Sequence, residues 1–511
     1  MSSPSISENS RRIARNTVFL YIRMFVLMLV GLFTSRVVLR SLGQMDFGVY
    51  GAVAGVVTMF TILTDSMSGA ISRFITFELG KADGRLPQVF STAVSIQLVL
   101  SVIIVLLAEP IGLWWLNHKM VIPPDRLAAS RWVLQFSILS LVIQLISVPY
   151  NADIVAHERM DAFAWISIFE GFGKLVVAYC LMVSDGDRLV LYAALLAGVS
   201  LVTRLMYGVF CRRHFPESKY EWKLDRKLFE EMFSFAGWNF IGSGAAILKG
   251  QGGNQLLNLF FGPITNGAWL LATQVNGTVQ KFVSSFTTAI NPQITKSYAS
   301  DDRDYMMHLL FKGSRMGVFL LLVVICPILF HAPFLMDIWL GAGSYPLETI
   351  LFVRLVLFSL LIETISSTLI TAMLATGDIR DYQILVGGLL LLNVPLSYIA
   401  LKLGAPASCI YWVGIVVSIL CLSARLYMLH GMIGLPVGRF LKEVVVNVFL
   451  VITVSLAGPW LLKMLIPISL STWLGFVIHA TFCVIWTVIV IFFLGFSKDE
   501  RKTWISRLFK R

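Results

Sequence analysis

In the middle of one long apolar run stands a lysine followed by glycines, Leu248-Lys249-Gly250-Gln251-Gly252-Gly253-Asn254. A charge kept at the centre of a hydrocarbon layer costs about 3 kcal/mol on insertion scales, so each one needs a reason. Glycines beside it loosen a helix and let a backbone or a ligand come close. Lys281, Arg36 and Arg23 are further cations inside apolar runs, and Asn254 adds an amide just beyond Lys249. Together these side chains could line an electropositive cavity for an anionic headgroup. The plainer reading is a lysine that snorkels or pairs with an acid, with the glycines serving helix packing. Arg23 and Arg204 lie within about two turns of a polar boundary, where snorkelling is easy.

Acids inside apolar runs offer a second chemistry. Glu170 and Lys174 are spaced i,i+4, so one helix face holds both and they can pair. The alternative is that Lys174 releases Glu170 to meet a ligand or a proton. Asp65 and Glu363 are lone acids at depth. Either could take a proton or help hold Na⁺, and so couple the protein to an ion gradient. Either could equally bridge to Lys249 or Lys281, and the sequence does not separate these readings.

Spacing argues against other chemistries. The seven histidines show no metal-ligand spacing, and the six cysteines (Cys180, Cys211, Cys326, Cys409, Cys421, Cys483) form no C-x-x-C pair. The cysteines lie within or at the ends of apolar runs and read as small packing residues. No G-x-x-x-x-G-K-[ST] loop is present, which argues against direct ATP drive. No large loop holds the paired carboxylates that a glycan polymerase or ligase would need. The expectation is a protein that is not an enzyme, with no catalytic residue, no metal and no cofactor beyond a proton or sodium gradient.

The elements that must position these residues are membrane helices. Of 511 residues, 57% are hydrophobic and 14% charged, with a mean hydropathy of +0.79. A soluble domain carries about 25% charged residues. About fourteen apolar runs are long enough to span a bilayer. They cover about 17–40, 47–76, 88–109, 128–149, 162–183, 189–211, 232–260, 266–291, 308–331, 347–375, 383–402, 407–428, 440–463 and 472–494. The first lacks a small-residue cleavage site, so it is expected to stay as a span. Basic residues crowd one side: Arg11, Arg12, Arg15, Lys81, Arg85, the stretch from Arg212 to Lys227, and the tail from Lys498 to Arg511. The other side holds scattered Arg40, Lys119, Arg126, Arg188, Lys402 and Lys463. The positive-inside rule then puts both termini in the cytoplasm. The net charge of +12 is mostly topology, and no basic folded surface for nucleic acid is visible.

The first half recurs weakly in the second at a shift of 219 positions, pairing Leu42-Gly43 with Phe261-Gly262 and Asp83 with Asp302. The same shift pairs residues 156–163 with 375–382. Two like-oriented multi-helix halves suit a transporter whose lobes rock about a central site. The expected organisation is an N-lobe at 1–211 holding spans one to six, and a basic cytoplasmic connection at 212–231. A C-lobe at 232–430 holds spans seven to twelve, followed by two spans without partners at 431–494 and a basic tail at 495–511. The expected fold class is an all-α polytopic membrane protein. Spans thirteen and fourteen are expected to pack outside the bundle.

Several stretches carry a resemblance. Span seven and its sequel read Phe235-Ala-Gly-Trp-Asn-Phe-Ile-Gly-Ser243 and Asn258-Leu-Phe-Phe-Gly-Pro263. Span eight reads Gln274-Val-Asn276 and ends Ala289-Ile-Asn-Pro-Gln-Ile-Thr-Lys-Ser-Tyr298. Span one reads Asn16-Thr-Val-Phe-Leu-Tyr-Ile-Arg23, then Thr34-Ser-Arg-Val-Val-Leu39 and Asp46-Phe-Gly-Val-Tyr50. Across its whole length the chain resembles bacterial polysaccharide-biosynthesis (Wzx-type) flippases of the multidrug/oligosaccharidyl-lipid/polysaccharide exporter superfamily. The resemblance implies alternating-access flipping of an undecaprenyl-pyrophosphate-linked oligosaccharide repeat unit. That unit would belong to O-antigen (lipopolysaccharide), capsule or another surface polysaccharide, and would cross from the cytoplasmic to the periplasmic leaflet of the inner membrane. It gives the cationic residues a pyrophosphate to bind, and it implies membrane lipids, a polysaccharide polymerase and glycosyltransferases as partners. Two alternatives share the superfamily: a multidrug cation antiporter, disfavoured because like charges repel in a low dielectric, and a lipid II flippase.

Overall fold

A computed structural model describes the backbone of residues 6–61, 64, 67–68, 71, 74–75, 78–79, 85–157, 159–221, 225–376, 380–465, 472–497 and 500–502. It describes the side chains of all of these but 6–22, 233–243, 246, 282–289, 292, 296 and 299. Secondary structure among the described residues is helical throughout, because a helix satisfies every backbone N–H and C=O without water. The order is α1 (Ile6–Thr58), α2 (Leu86–His118), α3 (Leu127–Ala156), α4 (Met160–Val183), α5 (Arg188–His214), α6 (Arg226–Phe261) and α7 (Pro263–Ala299). There follow α8 (Arg303–Leu340), α9 (Glu348–Ile365), α10 (Ser367–Thr376), α11 (Arg380–Leu391), α12 (Asn393–Lys402), α13 (Cys409–Ile433), α14 (Val437–Leu465) and α15 (Trp473–Val490). Eleven helices among the described residues are long and apolar enough to cross a membrane. The all-α polytopic class expected from sequence is the class observed. Spans ten and eleven are each interrupted by one turn residue, at Ser366 and Leu392.

The paired glycines of the repeat share one conformation. Gly43 kinks α1 with φ 77° and ψ 171°, and Gly262 separates α6 from α7 with φ 81° and ψ −174°. That region is open to glycine almost alone, so both positions must be glycine for the chain to turn there. Asp83 and residues 377–379 lie outside the described residues.

The chain forms two compact units, residues 1–267 with 344–346, and residues 268–343 with 347–511. In the first, α3 packs along α2 and α5, and α1 along α4. Val49, Val53, Ile104, Val133, Leu145 and Leu189 form part of its core. The helix of span seven, α6, lies in this unit and is joined to α1 by amides. Asn254 Nδ2 donates to the Gly51 carbonyl and Gln255 Nε2 to the Ala52 carbonyl, at 3.2 and 2.8 Å. Trp115 Nε1 donates to Gln255 Oε1 at 3.0 Å. Such bonds hold membrane helices together where the hydrophobic effect does not.

In the second unit, α8 packs against α9 and α15, and α15 against α14. So span fourteen leans on span nine, where Pro327 and Pro333 flank a kink at His331. His331 Nε2–H donates to His479 Nδ1 at 2.9 Å, and His479 Nε2–H donates to the Pro459 carbonyl at 3.1 Å. Both rings are buried. Arg315 Nη2 meets Glu500 Oε1 at 2.9 Å, tying the start of the tail to α8.

Candidate functional site

Inside the first unit lies a polar cavity of about 310 Å³, lined in part by Gln144, Asn151, Glu170, Lys174, Thr203 and Tyr207. A smaller one of about 130 Å³ shares Gln144 and adds Tyr50, Ser137 and Ser140. One face of α3 serves both cavities. Ser137, Ser140, Gln144, Ser147 and Asn151 recur at steps of three and four residues, the spacing of a single helix face. At 1.5 Å per residue this stripe runs about 21 Å, most of a hydrocarbon core. Ser140 and Ser147 donate to the Phe136 and Ile143 carbonyls at 2.8 and 2.7 Å. Their donors are thus satisfied within the helix, leaving oxygen lone pairs as acceptors.

Three of the residues singled out in the sequence come together here. Lys174 Nζ donates to Glu170 Oε1 at 2.6 Å, the i,i+4 pair expected from spacing. The Arg23 guanidinium sits 4.4 Å from the centre of the Phe163 ring and acts electrostatically on Glu170 and on Tyr207. Gly171 allows this approach, since a Cβ there would stand 2.5 Å from Leu27 of α1. The cluster carries one net positive charge. It joins hydroxyls, amides and an aromatic ring.

The remaining candidates are placed elsewhere. Arg36 and Lys249 are half-buried in the first unit, and Lys281 is half-buried in the second. The helix α6 runs unbroken through Gly250–Gly253, so these glycines do not interrupt it. A Cβ on Gly250 would meet open space. Asn254 is buried, with its Nδ2 on Gly51 and on Gln251 Oε1. Glu363 stands in the last turn of α9, just before the interruption at Ser366, and accepts from Ser418 Oγ at 3.2 Å. Asp65 lies outside the described residues.

A search of the sequence for charges overlooks the α3 stripe, which carries none. The repeat finds it. The 219-residue shift carries Ser140-Leu-Val-Ile-Gln144-Leu-Ile-Ser147 onto Ser359-Leu-Leu-Ile-Glu363-Thr-Ile-Ser366. Gln144, common to both cavities, answers to Glu363 beside the interruption of span ten.

At another edge of the first unit, Arg126 joins three helices. It pairs with Asp46 of α1, which is almost wholly buried, and with Asp187, the N-cap of α5, at 3.2 Å.

A family model described as "Polysaccharide biosynthesis protein" matches residues 13–298. No curated protein matches the sequence. Among solved structures, the lipid II flippase MurJ in an inward closed conformation superposes with a TM-score of 0.69 at 14% identity, covering 93% of this chain and 98% of that one. An inward-facing multidrug resistance MATE family transporter of the MOP superfamily gives 0.65 at 13% identity, covering 82% and 98%. A MOP superfamily transporter from Pyrococcus furiosus gives 0.58 at 12% identity, covering 84% and 96%. At these identities the likeness is one of fold.

Proposed function

The chain belongs to the polysaccharide biosynthesis protein family, and from that premise we propose that it flips lipid-linked oligosaccharide across the bacterial inner membrane. The cargo is an undecaprenyl-pyrophosphate-linked repeat unit of O-antigen, capsule or another surface glycan. It moves from the cytoplasmic to the periplasmic leaflet by alternating access, with both termini in the cytoplasm. The observation that carries this reading is the family match over residues 13–298, which contain every side chain lining the polar cavity.

Residues take the following roles in this reading. Lys249, Lys281, Arg36 and Arg23 supply positive charge for the pyrophosphate. The stripe on α3 and the rings of Tyr50 and Tyr207 offer hydrogen bonds and flat apolar faces to sugars, the composition expected of a specific ligand pocket. Glu363 takes the coupling proton or sodium ion, with Gln144 as its uncharged counterpart. Asp65 is a second coupling candidate. Glu170 is held by Lys174 until cargo or a proton competes for it. The lipid tail stays in the bilayer. A cation antiporter and a lipid II flippase would use the same fold.

The test is a strain lacking this protein. It should lose its surface glycan and accumulate lipid-linked repeat units on the cytoplasmic leaflet, and the wild-type chain should restore export. Normal surface glycan in that strain, with no other flippase gene present, would contradict the reading. A Lys249→Ala protein that inserts and exports at the normal level would remove Lys249 from the role given to it.

A further inference from the structure

Three side chains converge in the first unit where α3 ends and the basic connection begins. Asp153 lies in the last turn of α3, His157 caps it, and Glu217 sits in the short turn Pro216–Ser218 after α5. His157 Nδ1 is 3.3 Å from Asp153 Oδ1, and His157 Nε2 is 3.0 Å from Glu217 Oε1. One donor atom from each residue lies within 4.8 Å of the others. The Asp153 side chain is wholly buried and that of Glu217 is 10% exposed.

The surrounding contacts orient these donors. Ser218 Oγ donates to Asp153 Oδ2 at 2.6 Å. His157 Nδ1–H donates to the Asp153 carbonyl at 3.0 Å, and Nε2 faces Glu217. Phe215 stacks on the imidazole at 4.0 Å between ring centres. Asp153 Oδ1 and Glu217 Oε1 have no hydrogen-bond partner among the described residues. Of the cations nearby, Arg159 is taken up by Asp161, and the Arg204 guanidinium lies over the Tyr150 ring at 3.8 Å.

Two buried carboxylates flank one imidazole, whose single positive charge when protonated can balance only one of them. The field there favours positive charge.

We infer that Asp153 Oδ1, His157 Nε2 and Glu217 Oε1 form a binding site for a divalent transition-metal ion, Zn²⁺ foremost. The ion's charge balances the two carboxylates. One imidazole with two carboxylates is a donor set that suits zinc. With bonds of about 2 Å, tetrahedral donors stand about 3.3 Å apart, close to the Nε2–Oε1 separation seen here. The outer contacts match those that orient metal ligands, a ring N–H on a carbonyl and a hydroxyl on the second carboxylate oxygen. Bound there, the ion ties the end of span four to the start of the connection after span six.

The test uses the full chain, purified in detergent without a polyhistidine tag and stripped with a chelator. ZnCl₂ titration by calorimetry should give one equivalent bound with micromolar Kd or tighter, and Tm should rise with Zn²⁺ but not with Mg²⁺. Ser218→Ala, which keeps all three ligands, should weaken binding about tenfold, and His157→Gln about a hundredfold or more. Should His157→Gln fail to fold, Co²⁺ added to the wild type decides. Intense visible absorption of four-coordinate cobalt supports the site, and the weak spectrum of the hydrated ion overturns it. Absence of stoichiometric uptake, or uptake unchanged in His157→Gln, overturns it as well.

Discussion

Asn254 donates its amide to the carbonyl of Gly51, a residue 203 positions earlier in the chain, at 3.2 Å. The contact exists because α1 is glycine-rich where α6 and α7 cross it. A Cβ on Gly55 would stand 2.2 Å from Asn254 Nδ2, and one on Gly48 would stand 1.8 Å from the Pro263 carbonyl oxygen. The first neighbour is a side chain that can swing and the second is backbone that cannot. Gly48→Ala is therefore expected to cost about 1–3 kcal/mol, more than Gly55→Ala, in thermal unfolding of the purified protein. Asn254→Ala should cost about 1–2 kcal/mol and leave cargo affinity unchanged. A loss of affinity at undiminished Tm would return Asn254 to the binding residues.

Glu363 and Gln144 occupy equivalent repeat positions but differ in charge. Glu363→Gln makes the second stripe as neutral as the first. Transport driven by a proton or sodium gradient should fall to the level seen without one, while downhill exchange of cargo persists. Gln144→Leu should lower both modes about tenfold, the factor that one lost hydrogen bond of about 1.4 kcal/mol supplies. Gradient-dependent transport by the Glu363→Gln protein would exclude the carboxylate from coupling.

The pair Glu170–Lys174 is partly exposed, at 33% and 47%. Solvent screening holds its contribution to stability to about 0–1 kcal/mol, so its effect should appear in transport instead. Lys174→Met and Glu170→Gln should each impair transport more than the double variant does, because each single change leaves a lone charge at depth. A double-mutant cycle measures this. Strictly additive losses would mean that the two residues act independently.

His331 and His479 make one hydrogen-bonded chain ending on Pro459. His479→Leu strands the His331 donor and the Pro459 carbonyl together, at about 1–3 kcal/mol for each buried group left unpaired. Tm should drop by several degrees, with more rapid proteolysis between α14 and α15. An unchanged Tm would mean that spans thirteen and fourteen dock by apolar packing alone.

Much of the fold was legible because its signals are coarse and local. Long apolar runs dictate helices, and Gly43 and Gly262 mark the same turn in each half. The ion pair Glu170–Lys174 followed from i,i+4 spacing, as nothing tertiary is needed to bring those residues together. The polar stripe on α3 escaped notice because serine and asparagine cost little in a membrane helix and stand out only by their period. The meeting of Glu217 with Asp153 and His157 could not be foreseen. Asp153 and His157 are four residues apart, but Glu217 arrives 60 positions later by way of two helices. Likewise Lys249 and its glycines suggested a loosened helix, whereas α6 is continuous there and the amides of Asn254 and Gln255 tie it to α1.

The most direct measurement is flipping in proteoliposomes of a fluorescent undecaprenyl-pyrophosphate oligosaccharide beside a cationic dye, with and without a proton or sodium gradient. The account predicts translocation of the lipid-linked sugar, faster with a gradient, and no movement of the dye. Efflux of the dye with the lipid-linked sugar left in place would contradict it, and would turn attention from Lys249, Lys281 and Arg36 to Asp65, Glu170 and Glu363.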